Sequence, residues 1–198
     1  MTKTVRYLTH PQVLIDPAKE ITDWSLNSVG TARVTALARQ LGSLSATKRV
    51  ISSAERKALE TARPLATALG VSLEIRPLMH ENDRSSTGFL PPEEFEKTAD
   101  AFFANPSQSV RGWETAQDAQ RRIVSEVELC LSDGVTGDVL FVGHGGVGTL
   151  IFCALTGATI DRRHDQGPGG GGCWFQFDST DRRPPRPWQV MERLAQGG

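Results

Sequence analysis

The chain has 198 residues, a length that suits one domain with a substantial buried core. Its 22 basic and 23 acidic residues leave a formal charge of -1, so no global field points toward nucleic acid or an anionic membrane, and any substrate has to be read from a site. Cys130, Cys153 and Cys173 are scattered without C-x-x-C spacing and read as buried reduced thiols, the first residues lack the apolar stretch of a signal peptide, and no apolar run could span a bilayer; a soluble, cytoplasmic protein is expected.

Val5 to Thr9 reads as a short strand. Val34, Leu37, Ala38 and Leu41 then fall at i, i+3, i+4, i+7 spacing, which predicts a helix from Val29 to Leu41. The unit recurs: Arg49 to Ser52 reads as a strand, and Arg56 to Leu69 as a helix ended by Gly70, with Pro64 where a kink could form. Ser72 to Ile75 predicts a third strand. The pattern then loosens into an irregular insertion at about 76–112, broken by turn residues and holding one short helix, Pro92 to Phe103. Beyond it come a helix from about Glu114 to Leu131, the apolar strand Val139 to Val142, a helix after Gly145-Gly146, and a last strand, Cys173 to Phe177. Parallel neighbours need crossovers that usually contain a helix, so this alternation predicts an α/β fold, a three-layer α/β/α sandwich with a mostly parallel central sheet, formed by one domain over residues 1–198. The basic, Pro-rich stretch 181–187 reads as a surface connection.

Sites in such folds lie beyond the carboxyl ends of the strands, where His10 and His144 both fall. His144 precedes Gly145-Gly146 and a helix, so its imidazole and N–H groups such as that of Gly145 stand at a helix N-terminus, which favours an anion. If the two strands are neighbours, both imidazoles could face one phosphate, one attacking and the other donating a hydrogen bond. His80 and His164 read as surface histidines. The run Gly167-Pro168-Gly169-Gly170-Gly171-Gly172 lacks a Gly-Lys-Ser/Thr ending and reads as a flexible turn, not a phosphate loop. Phe89, Phe95, Phe102, Phe103 and Trp113 read first as a satellite hydrophobic cluster, with a pocket wall as the alternative.

Three stretches in order resemble the histidine phosphatases, the superfamily that includes cofactor-dependent phosphoglycerate mutase. Leu26 to Ala32 resembles its leucine-to-glycine helix entry, Ser52-Ser53-Ala54-Glu55-Arg56-Lys57-Ala58-Leu59-Glu60-Thr61-Ala62 its Ser-Ser-Pro-Leu-x-Arg-Ala-x-Gln-Thr-Ala segment, and Val142-Gly143-His144-Gly145-Gly146-Val147 its second-histidine motif. The resemblance implies phosphoryl transfer to His10, stabilisation by His144, and a general acid at Glu81 with Asp83 in reserve, without metal or organic cofactor. The implied substrate is a phosphorylated small molecule or phosphoprotein; nucleic acid and membrane are not expected as partners, and a homodimer is left open. The hallmark Arg-His-Gly is Thr9-His10-Pro11 here, and Lys57 stands for the arginine of the Ser-Ser segment. The phosphate-binding positions are therefore Thr9, without charge, and Lys57, a point charge without the bidentate fork of guanidinium. Arg84 is the first choice for the missing cation, ahead of Arg56 and Arg6, with Arg163 as an outside reference. Pro11, together with Asp16 where mutases often carry asparagine, argues against a glycolytic mutase, and the alternative reading is a catalytically inactive relative that binds an anion or phosphorylated partner.

Overall fold

A computed structural model of the chain describes residues 3–132, 137–180, 182 and 186–196. Its strands are β1 (Thr4–Thr9), β2 (Thr47–Ser53), β3 (Leu73–Arg76), β4 (Asp138–Gly143), β5 (Cys173–Asp178) and β6 (Gln189–Val190), and its helices α1 (Ser28–Arg39), α2 (Arg56–Leu69), α3 (Pro92–Ala104), α4 (Ala116–Ser132), α5 (Gly145–Thr156) and α6 (Glu192–Ala195). They build a six-stranded sheet in the order β3-β2-β4-β1-β5-β6. β1, β2, β3 and β4 run parallel, β5 runs antiparallel to β1, and β6, antiparallel to β5, returns to the common direction, so the expected mostly parallel α/β sandwich is what forms.

The layers follow from strand alternation, since successive side chains leave opposite faces. Val5 and Tyr7 of β1 and Val139 and Phe141 of β4 join a core with Ile123 and Val127 of α4, Leu150 and Ile151 of α5 and Phe102 of α3. Leu8 of β1 and Leu140 and Val142 of β4 face the other way, onto Val34 and Leu37 of α1, Leu65 of α2 and Leu194 of α6. α1 starts where the Asn27 side chain accepts the Gly30 N–H, and α2 stops at Gly70, which takes the left-handed φ of 68°. α2 runs unbroken through Pro64.

Several boundaries differ from the sequence reading. Leu41 lies beyond α1, and α4 opens at Ala116, after Glu114 has turned back onto the Asp83 backbone. β6 and α6 follow the connection 181–187, most of which lies outside the described residues. Cys130, Cys153 and Cys173 are free and buried. Among the described residues no helix is long and apolar enough to cross a membrane.

Candidate active site

The register places Thr9 of β1 opposite Gly143 of β4, so the next residues, His10 and His144, leave adjacent strand ends together. Their rings meet edge to face with centroids 5.3 Å apart. His10 Nδ1 lies 2.9 Å from the Pro11 carbonyl. A carbonyl only accepts, so Nδ1 carries the proton and Nε2 keeps the lone pair. Burial, and then the Lys57 charge, push the His10 pKa down to about 4, so near neutrality the ring is uncharged. Pro11 stands where the family has glycine, and here its carbonyl fixes the His10 tautomer.

His144 is fully buried, and burial drives its pKa well below the usual histidine value against the opposing charge of Glu55. Its Nε2 lies 2.9 Å from Ser53 Oγ and 3.5 Å from Glu55 Oε1, while Nδ1 has no partner among the described residues. Glu55 fills a leucine position of the family segment. It ion-pairs with Lys57, and its Oε1 accepts the Glu81 N–H at 2.8 Å. Lys57 also donates to the Ile21 carbonyl at 2.8 Å. The lysine charge is thus engaged by a neighbour two residues away.

The Glu81 carboxylate caps α5, accepting the Gly146 and Val147 N–H groups at 3.0 and 2.9 Å. Arg122 of α4 braces this segment through the carbonyls of Leu78 and His80 at 2.7 and 3.0 Å while paired with Glu114. Asp83 instead accepts from Ser85 N–H and is exposed, so the reserve acid faces away.

A cavity of about 710 Å³ opens over this floor, lined by His10, Glu81, Arg84, Gly145 and Gln166 among others. Arg84 stacks its guanidinium over Phe95, 5.0 Å from the ring centroid, and burial lowers its pKa against Glu81 and Glu55. Lys57 and Thr9 do not line this cavity, and neither do Arg6, which pairs with Asp138, or Arg56, which pairs with Glu60. Phe95, Phe102, Phe103 and Trp113 do double duty, packing with the main core and walling the cavity. Arg163 also lines the wall, which disqualifies it as an outside reference. His80 and His164 are half-buried, the latter stacked on Phe152. The glycine run is pinned: Gln12 Nε2 donates to the Gly169 carbonyl at 2.7 Å, and Gly172 N–H to the His10 carbonyl at 2.9 Å. Gly171, at φ 86°, passes so close to the His10 carbonyl oxygen that a Cβ there would lie 2.2 Å from it. Among the described residues no cluster of three or more His, Cys, Asp or Glu side chains could hold a metal ion.

Such a site, two histidines at adjacent strand ends beside a capped helix N-terminus, belongs to a phosphate-handling α/β enzyme in its architecture. The model of the histidine phosphatase superfamily (branch 1) matches residues 16–184, and the chain belongs to that superfamily. His10 precedes the matched stretch, in keeping with the altered first motif. No curated protein matches the chain. Among solved structures it is similar to a mycobacterial glucosyl-3-phosphoglycerate phosphatase complexed with inorganic phosphate, at 22% identity and TM-score 0.72 over 95% of each chain. It is also similar to a phosphoserine phosphatase variant from Entamoeba histolytica in complex with phosphoserine, at 14% identity and TM-score 0.74 over 93% of this chain and 94% of that one. A protein described as mycobacterial hydrolase 2 aligns at 19% identity and TM-score 0.72 over 96% of this chain and 90% of its own. The family supports a phosphatase-type protein, and the neighbours share its fold.

Proposed function

We propose that the protein hydrolyses phosphomonoesters, on a small molecule or a protein side chain, through a phosphohistidine on His10. The observation that carries this reading is the uncharged His10 ring, its Nδ1 tied to the Pro11 carbonyl, lining a cavity that also holds Glu81 and Arg84. Nε2 attacks phosphorus, the ester P–O bond breaks, and Glu81 in its acid form gives the leaving oxygen a proton. As a carboxylate, Glu81 then takes a proton from the water that displaces phosphate from His10. The cavity supplies Arg84 as the cation for the charge that develops on the phosphoryl oxygens. Transfer to a second substrate, as in a mutase, would need another anchor, and the wall arginines Arg162 and Arg163 are paired with Glu96 and Asp100 and with Asp161. The buried free cysteines fit a cytoplasmic setting.

The test is turnover of an aryl phosphate, with acid-labile phosphate mapped after quenching. Phosphate is expected on His10, and His10→Ala should lower kcat by about ten-thousandfold or more. Arg84→Ala should weaken vanadate inhibition about a hundredfold. Full activity in His10→Ala would end the proposal. A wild-type protein that binds vanadate but turns nothing over would favour the second reading, an inactive relative that binds a phosphorylated partner, for which the engagement of Lys57 by Glu55 speaks.

A further inference from the structure

Thr9 stands where the family has its first phosphate-binding arginine, and it is fully buried at the end of β1. Its hydroxyl has one proton to give. Cys173 N–H donates to Oγ1 at 3.0 Å, which leaves that proton for either Gln166 Oε1 at 2.6 Å or the Cys173 carbonyl at 3.2 Å. A separation of 2.6 Å suits O–H···O and is short for N–H···O, whose usual distance is about 2.9 Å. The proton therefore goes to Gln166, and this fixes which way the amide faces: oxygen toward Thr9, nitrogen away from it.

Gln166 Nε2 reaches over the first residue of α5. A Cβ placed on Gly145 would lie 2.4 Å from Nε2 but 4.0 Å from Oε1. Gln166 and Gly145 line the same cavity as His10. No group among the described residues accepts a hydrogen bond from this nitrogen. The other end of the residue is anchored, because its N–H donates to Asp165 Oδ1 at 2.7 Å, and that oxygen also accepts from Thr149 of α5 at 3.0 Å. A donor held at both ends, in the cavity that His10 also lines and next to a helix N-terminus, is preorganised for an anion.

We infer that Gln166 is a ligand of the transferred phosphoryl group, its amide N–H replacing part of the guanidinium fork that Thr9 lacks, with Thr9 as the residue that positions it. The inference rests on the phosphatase reading for its chemistry but on the Thr9–Gln166 geometry for its residues. Charge comes from Arg84 and direction from Gln166, which divides between two loops what one arginine does in the relatives. The side chain lies in the segment between α5 and β5, 157 residues from Thr9 in sequence.

The experiment measures orthovanadate and inorganic phosphate affinity by calorimetry, together with aryl phosphate turnover, for the wild type, Gln166→Leu, Thr9→Val and Thr9→Ser. Gln166→Leu should weaken vanadate binding and lower kcat about a hundredfold. Thr9→Val, which keeps the shape without the hydroxyl, should lose most of the same affinity, and Thr9→Ser should regain it; a role resting on side-chain shape alone would survive in Thr9→Val. Unchanged vanadate affinity in Gln166→Leu overturns the inference whether or not the protein turns over. A wild type that binds vanadate without hydrolysis removes the phosphatase reading yet still decides Gln166 through the affinities. A wild type that binds neither anion overturns both.

Discussion

Two neighbouring strand-to-helix turns form the floor of the site and have been treated differently by the sequence. The β4–α5 turn, His144-Gly145-Gly146, carries no charged residue in its first helical turn, and its N–H groups are capped from outside by Glu81. The β2–α2 turn brings its own acid and base, Glu55 and Lys57, and closes them on each other. The first stays an open electrostatic site, and the second has become an internal clamp that holds the Glu81 backbone and sits beside His144. Strand-end geometry thus persists while the lysine of this turn is paired internally, and the cavity wall carries the Arg84 guanidinium and the neutral Gln166 amide instead.

The sharpest way to break this contrast is to open the clamp. The Glu55 and Lys57 side chains are only 7% and 3% exposed, so Lys57→Met strands a buried carboxylate and should cost about 3–5 kcal/mol. The double variant Glu55→Leu with Lys57→Met removes both charges and should recover most of that loss. Urea unfolding of the four-member cycle measures it; additive losses would mean that the two turns differ less than their contacts suggest.

Acid sharpens the same contrast. Burial alone would raise the Glu55 carboxyl, but His144 and Lys57 beside it bring its pKa down from 4.5 to about 2, so its stabilisation is complete above pH 4.5 and is lost as pH falls toward 2. His10, lowered from 6.5 to about 4, takes up its proton in the unfolded chain first, so stability also falls as pH drops from 6.5 to 4. Unfolding midpoints at pH 7, 5 and 3.5 should fall in that order. The double variant should lose only the lower part of the slope, and the acid limb of kcat/KM should rise through about pH 4. An acid limb near 6.5 would place the His10 lone pair elsewhere.

Much of the floor was legible in the sequence because it is local. The apolar runs of β1 and β4 and the glycines after His144 report strand, turn and helix within a few residues, and the paired histidines follow from β1 lying beside β4. The walls were not, because they depend on contacts between distant residues. Gln166 belongs to a stretch whose glycines suggest freedom, yet Thr9, Gln12 and Arg33 reach it from the other end of the chain. Glu55 stands opposite a leucine of the family segment, and only its burial beside Lys57 gives it a role. Arg163 carried no local mark that would set it on the cavity wall.

The smallest expected effect tests the open turn itself. Tyr7 of β1 accepts the His144 N–H at 3.0 Å and donates to the His144 carbonyl at 3.1 Å, so one buried hydroxyl supports both backbone groups of the residue that opens α5. Tyr7→Phe leaves that N–H unpaired and should cost about 1–2 kcal/mol, with the His144 ring less firmly held and turnover down several-fold. Gly143 is coupled to the same hydroxyl, since a Cβ there would lie 2.3 Å from Tyr7 Oη. Gly143→Ala should therefore be more damaging alone than in the Tyr7→Phe background, where the oxygen it strikes is gone. Equal losses in both backgrounds would show that β1 does not support the turn through this contact, and the open site would then owe its shape to Glu81 alone.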